Sequence, residues 1–277
     1  MWYISYVLID QSRYSAFWLN PERFRMRYML DLEALREGAP AKYGRDRGTA
    51  FHIISECAHN ASLPVERLNL EVKDEKAKEM GAVMYEAYKK ATNPKFSKIA
   101  AELAFCVPIE GSPHSIAGRL DAILEQRDGK QWVGETKTAS MRADLAKLKW
   151  EWRRNPQADF VLIGAESLGY KVEGVMVHTI KEATPQPRVW PIEVRRSAQQ
   201  LAVMKYNVHQ TCEIIQMLVN SFGVDKPWPH VPPTFNPCTR EGYCDFEEDC
   251  SCVTLDEDKY TSRVEHLPVM EQQQWRN

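Results

Sequence analysis

The chain has 277 residues, 44% hydrophobic and 27% charged, which is enough to bury a core without disulfide staples and excludes collagen-like, mucin-like and wholly disordered classes. Its 36 basic and 38 acidic residues leave a formal charge of -2, so a nucleic-acid surface has to be a local patch and not a global basic field. No apolar run approaches the ~20 residues of a membrane helix. The first residues show neither a basic n-region nor a small-residue cleavage site, and the 7 cysteines are odd in number and sparse, so a reducing cytoplasm is expected.

In chain order, Ser12 or Ser15 is expected to cap a first helix running toward Leu35, with Phe17, Phe24, Tyr28 and Leu32 near helical spacing and Pro21 dividing it. A second helix should begin near Gly48 and carry His52, and a third should span Asp74 to about Lys90. From Ala101 the pattern changes: LAFCVPI, SIAGRLDAIL and QWVGETKT read as three short strands. Asn155-Pro156 is a helix start, with Asn as N-cap and Pro at the first helical position, and Gly169 is its stop. Lys171–Ile180 and Arg188–Val194 suggest a hairpin, and the first of these strands can pair in parallel with the earlier hairpin across the Asn155 helix. Ser197–Phe222 is the longest helical pattern, and the prolines from Pro227 to Pro237 exclude regular helix beyond it. Helices, then a mainly antiparallel sheet with one helix inserted, then a long helix describe an α/β or α+β layer fold around one central sheet.

The most informative stretch is Gly118–Thr138. A three-residue loop Arg127-Asp128-Gly129, closed by a left-handed Gly, sets Gln126 opposite Lys130 and, counting outward, Asp121 opposite Glu135. A two-residue loop would turn Asp121 to the other face. Glu135 and Lys137 share a face by strand alternation, so the first register gathers Asp121, Glu135 and Lys137, while Leu120, Ala122 and Leu124 face a core. Two carboxylates beside an ammonium suit a hard divalent cation, Mg²⁺ or Mn²⁺, bound with water and phosphate oxygens. The lysine can orient the attacking water or stabilise developing charge. The alternative is a surface hairpin with an Asp–Glu–Lys salt-bridge cluster, but the neighbours of both carboxylates are small or apolar, and charges near a core need a partner or a metal.

GRLDAIL and GETKTA resemble the aspartate strand and the E-x-K strand of the PD-(D/E)XK nuclease superfamily, within it the RecB-type exonuclease domains with CRISPR-associated and phage relatives. GTAFHIISE resembles the upstream helix motif with Gly48 and His52, Gln157 stands near the place of the helix glutamine, and SRYSAFWLNPERFRMRY resembles the N-terminal segment. The resemblance covers roughly Ser12 to Cys250. It implies a restriction-endonuclease-like core, a central mixed sheet flanked by helices. Residues 1–252 would form the nuclease domain, with an N-terminal helical part and a Cys-rich segment at 238–252, and 253–277 a polar tail. It implies Asp121 and Glu135 as metal ligands, Lys137 as the residue aiding the attacking water, His52 as a further ligand, and the Thr136 carbonyl facing the metal. Glu102 stands where relatives often hold an acidic residue. Position 161 is Val161 where the glutamine motif often has an aromatic, with Phe160 beside it.

In relatives, three C-terminal cysteines and one N-terminal cysteine hold a [4Fe-4S] cluster. Here Cys238, Cys244, Cys250 and Cys252 are close together, but the N-terminal position is Asn20, so Cys252 or Cys57 would have to be the fourth ligand. The spacing does not match the usual zinc pairs, and reduced thiols without metal are the remaining reading. Cys106 and Cys212 lie in apolar patterns and are expected to be buried thiols. Arg23, Arg25 and Arg27 beside Phe24 and Tyr28, and Lys147, Lys149, Arg153 and Arg154 around Trp150 and Trp152, are candidate DNA surfaces, with Gln157 at a helix start able to meet a phosphate.

The expectation is a DNA nuclease, an exonuclease of recombination or repair in a bacterial or phage-infected cell, acting on single- or double-stranded DNA through metal-activated water, with a recombination protein as partner and no membrane. The alternatives are a nuclease-like DNA-binding or scaffold subunit without turnover, and a restriction endonuclease on the same core.

Overall fold

The computed structural model describes residues 7–30, 32–34, 43–59, 66–183, 186–224, 226–228 and 260–262. They divide into two compact units: 1–38, 106–118 and 198–277 in one, 39–105 and 119–197 in the other. No helix among the described residues is long and apolar enough to cross a membrane.

In the first unit, β1 (Leu8–Ile9) pairs in parallel with the start of β4 (Ser115–Gln126). Helix α1 (Gln11–Leu19) starts earlier than expected, because Asp10 and not Ser12 or Ser15 is its N-cap, its carboxylate accepting from Arg13 N–H at 2.7 Å. Pro21 does divide the segment. Asn20 Oδ1 accepts from Glu22 N–H at 2.9 Å and starts the short α2 (Pro21–Phe24), which runs into a π-helical turn at Arg25–Met29. The expected helix does not reach Leu35: Leu32–Ala34 is strand β2, paired antiparallel with Tyr260–Ser262 of the expected polar tail. Arg25 is buried, held by Glu22 at 2.8 and 2.6 Å and by the Val224 carbonyl at 2.6 Å. Trp228 N–H donates to the same Glu22 at 2.7 Å, and the Trp228 ring stacks on Phe24. A buried guanidinium is tolerable only when its hydrogen bonds are filled in this way. Helix α8 (Ala198–Phe222) buries Val208, Cys212, Ile215 and Val219, and burial pushes the Cys212 thiol up to about 12.

In the second unit the sheet runs β4, β5 (Gln131–Ala139), β6 (Val172–Lys181), β7 (Arg188–Val194), with β3 (Phe96–Pro108) also paired to β4. β4 and β5 are antiparallel, β5 and β6 parallel, β6 and β7 antiparallel, which makes a mixed sheet. Helix α3 (Tyr43–His59) begins before Gly48, and α4 (Glu66–Glu71) precedes α5 (Glu75–Thr92), which Asp74 caps at the start expected for it. Phe51 of α3 and Met84, Tyr85 and Tyr88 of α5 enclose Ile180 of β6 in one buried cluster. A Cβ on Gly48 would stand 3.1 Å from Thr138 Oγ1, so α3 lies close on the face of β5 that carries Thr136 and Thr138.

The other face of β5 carries Glu135, and there α7 (Pro156–Ser167) packs against β5 and β6. Asn155 Oδ1 caps α7 at Gln157 N–H, 2.9 Å, with Pro156 in the first turn, and Gly169 at φ +84° ends it. KLKWEW, for which no element was expected, lies in α6 (Leu145–Trp152), capped by Asp144. Leu120, Ala122 and Leu124 are buried as expected, but Ile123 and Val133 are buried as well, since helices cover both faces of the sheet.

Candidate active site

The loop between β4 and β5 decides which carboxylates can meet. Gln126 N–H donates to the Lys130 carbonyl and Gly129 N–H to the Gln126 carbonyl, each at 2.9 Å. Gly129 has φ +81°, a backbone state that L side chains adopt at a cost, so Arg127-Asp128-Gly129 closes in the three-residue form. The strands then pair from Glu125↔Gln131 to Ala122↔Gly134. There the ladder opens. The next donor along β5, Thr136 N–H, goes to Asp121 Oδ2 at 3.3 Å instead of a carbonyl, and Thr136 Oγ1 lies 3.5 Å from the same oxygen.

Glu135 is buried, and two donors converge on its Oε1: Lys137 Nζ at 2.7 Å and Gln157 Nε2 at 2.8 Å. Burial, and then the charge of Asp121, push the Glu135 carboxyl up to about 7, against the pull of Lys137 and Gln157. For Lys137, burial opposes the charge, but Glu135 and Asp121 outweigh it and hold the ammonium above its ordinary value. Gln157 was expected to meet a phosphate; its amide instead bonds Glu135.

Asp121 also lines a cavity of about 250 Å³ with His52 and Glu56 of α3 and Glu102 of β3. Burial lowers the His52 pKa despite the nearby Asp121 charge, which leaves a neutral imidazole. Glu102 sits at φ +51°, a strained state for a side-chain-bearing residue, and pairs with Arg119 at 2.9 Å. Glu56 was missed, although its place four residues after His52 puts both on one helix face.

The donors suit a hard cation in part. The Asp121 charge acts on the buried Glu135 and raises it, the imbalance a divalent cation relieves. Yet among the described residues no three His, Cys, Asp or Glu side chains are grouped to hold a metal ion, so the expected set His52, Asp121, Glu135 and Thr136 is not drawn together as a cage. A Mg²⁺-type site needs only one or two carboxylates, the rest being water and phosphate oxygens.

Of the expected DNA surfaces, Lys147, Lys149 and Arg153 are exposed at α6. Trp152 is buried, and the 57% exposed Trp150 is covered by the Arg154 guanidinium 4.3 Å from its ring centre. Of the expected cluster Arg23, Arg25 and Arg27, Arg25 is inside the unit on Glu22. Asn20 is a buried cap for α2. Cys238, Cys244, Cys250 and Cys252 lie outside the described residues. Cys106 is half-buried and not fully enclosed as expected; Cys212 is buried.

A family model described as the PD-(D/E)XK nuclease superfamily matches residues 10–251. Among solved structures, one described as "Crystal structure of SSO0001" is similar at 15% identity with a TM-score of 0.35, over 84% of this chain and 95% of that one. No curated protein matches the chain.

Proposed function

The chain belongs to the PD-(D/E)XK nuclease superfamily, and from that premise we propose that it is a divalent-metal-dependent DNA nuclease, an exonuclease of recombination or repair. What supports this reading is that the Asp121 charge acts on both Glu135 and Lys137 where the paired part of β4 and β5 ends, with Lys137 Nζ 2.7 Å from Glu135. Asp121 and Glu135 would hold Mg²⁺ or Mn²⁺, with His52 and the Thr136 carbonyl as further donors. When bound, the cation supplies Lewis acidity, making water more acidic and neutralising charge on the phosphate.

Lys137, held in its charged form, donates toward charge developing on the phosphate oxygens. Gln157 bonds Glu135 and works against the burial that raises its pKa. Neutral His52 can present a lone pair. Lys147, Lys149 and Arg153, each exposed, neutralise backbone phosphates, which makes binding salt-sensitive.

The test is digestion of end-labelled linear DNA, single- and double-stranded, beside covalently closed circles, with Mg²⁺ or Mn²⁺. Release of mononucleotides or short products from linear DNA, with circles intact, supports the exonuclease reading; nicked circles point to an endonuclease. A second reading, a DNA-binding subunit without turnover, is favoured by one observation, that the described residues group no three metal-ligating side chains. DNA binding without cleavage under any metal would establish it instead.

A further inference from the structure

Next to the cavity of Asp121 lies a second, of about 240 Å³, and Tyr88 and Lys98 line both. The two differ in chemistry. The first holds Glu56, Glu102 and Asp121. The second has no carboxylate in its wall; it has Tyr85, Tyr88 and Phe96, the amide of Asn93, and Lys89 and Lys98. Lys98 stands where one gives way to the other.

β3 explains the placement: Phe96 and Lys98 are two apart and share a face, toward α3 and α5, where Phe96 packs on the cluster of Ala122, Leu124, Trp132 and Met176. Lys98 is partly buried, yet among the described residues its ammonium makes no hydrogen bond and no close ion pair. Glu102 and Asp121 attract it through space without contact, so the ammonium keeps donors that an anion from outside can fill. An anion that also brings a flat ring to an aromatic and amide-lined cleft is a nucleotide in a chain.

We propose that Lys98 holds the phosphate adjoining the one to be cut, and that the cleft of Tyr85, Tyr88, Phe96 and Asn93 receives the nucleotide attached to it. The proposal rests on the nuclease reading and adds to it a binding subsite and its orientation: the strand runs from the Asp121 cavity past Lys98 toward Phe96.

The test compares the wild-type chain with Lys98→Gln, Lys98→Arg and Phe96→Leu, using a fluorescein-labelled single-stranded oligodeoxynucleotide. Anisotropy in Ca²⁺ reads binding, and cleavage in Mg²⁺ or Mn²⁺ reads kcat and KM. For Lys98→Gln we expect KM to rise about tenfold with kcat nearly unchanged, since a contact equal in ground and transition states acts on KM. The slope of log affinity against log salt should fall by about 0.7, one phosphate contact to a single strand. Lys98→Arg should restore both. Phe96→Leu should raise KM with the slope unchanged.

A wild-type KM and salt slope in Lys98→Gln would overturn the proposal, as would a loss confined to kcat with altered Mg²⁺ dependence, which would mean that Lys98 only balances the carboxylates. If Lys98→Gln fails to fold by circular dichroism, Lys98→Arg and Phe96→Leu decide: wild-type KM in Phe96→Leu overturns the nucleotide cleft, and loss of phosphate binding in a folded Lys98→Arg overturns the Lys98 contact. A wild-type chain that neither binds nor cuts DNA removes the nuclease reading itself, a different failure from a wild type that cuts and a Lys98→Gln that cuts as well.

Discussion

Gln157 Nε2 donates to Glu135 Oε1 at 2.8 Å, the same oxygen that Lys137 Nζ reaches at 2.7 Å. The carboxylate is thus held by one neutral and one charged donor while Asp121 and burial work to protonate it. Gln157 is held in turn by the helix start it belongs to, since Asn155 caps α7 and Arg196, bonded to Asp159 at 2.7 Å, fastens the same turn.

Replacing Gln157 by Leu removes the neutral donor. The Glu135 pKa should then move further up, so the acid limb of the cleavage profile shifts to higher pH. Activity near neutrality should fall about 10- to 100-fold, the range typical of partners that orient a metal ligand. A pH series of kcat for both proteins checks this, and an unshifted limb would separate Gln157 from Glu135.

How far the site could be read from the sequence depended on which interactions are local. The hairpin register followed from a single Gly at the third loop position, and Asn155-Pro156 located α7, because turn and cap chemistry is settled within a few residues. Contacts across the chain were not legible. Gln157 was read as a phosphate-meeting residue until the fold laid its amide on Glu135, and Arg25 looked like part of a basic surface until Trp228 and Val224 closed over it. The strand β3 was read from Leu103 although it starts at Phe96, because FSKIAAEL mixes charge with small residues; its alternation of Phe96 and Lys98 was the available signal. The Asp10 cap was missed because Ser12 and Ser15 compete for the same role, and an ionised carboxylate is the stronger acceptor.

His178 provides an acid-sensitive point in the core. Its ring packs edge-on against Tyr88 and Phe96, and burial, aided by Lys95, lowers its pKa to about 4. The unfolded histidine titrates near 6.5, so the unfolded state takes up the proton first as pH falls. Stability should be whole above about pH 6.5 and decline toward pH 4, by on the order of 2–3 kcal/mol from this group. Among the described residues its Nδ1 has no hydrogen-bond partner, so His178→Phe should fold and flatten this decline. Urea denaturation across that pH range measures it; an unchanged pH slope in His178→Phe would contradict the assignment.

Gly164 of α7 faces the ring of Phe105 on β3, and a methyl at that position would overlap the ring. Gly164→Ala should therefore destabilise by about 1–3 kcal/mol despite the better helix propensity of Ala, because the overlap is with a packed aromatic. Pairing it with Phe105→Leu should recover part of the loss. A chemical denaturation midpoint equal to wild type in the single variant would contradict the close packing of α7 on β3.

Without metal, the two carboxylates work against each other. Asp121→Asn retains an oxygen for Thr136 N–H and removes the charge that raises Glu135. In EDTA the variant should be as stable as wild type or more so, by on the order of 1 kcal/mol. With Mg²⁺ the order should invert, since wild type gains from ligand binding and the variant does not. Thermal denaturation with and without Mg²⁺ tests this, and a Mg²⁺-induced rise of equal size in both proteins would separate Asp121 from the metal.

The most direct measurement is cleavage of labelled single- and double-stranded DNA by wild type, Asp121→Ala and Lys137→Ala, each purified and shown to be folded, with Mg²⁺, with Mn²⁺ and with EDTA. The account predicts metal-dependent cleavage by wild type alone, abolished by EDTA and by either substitution. Full activity in both folded variants would contradict it.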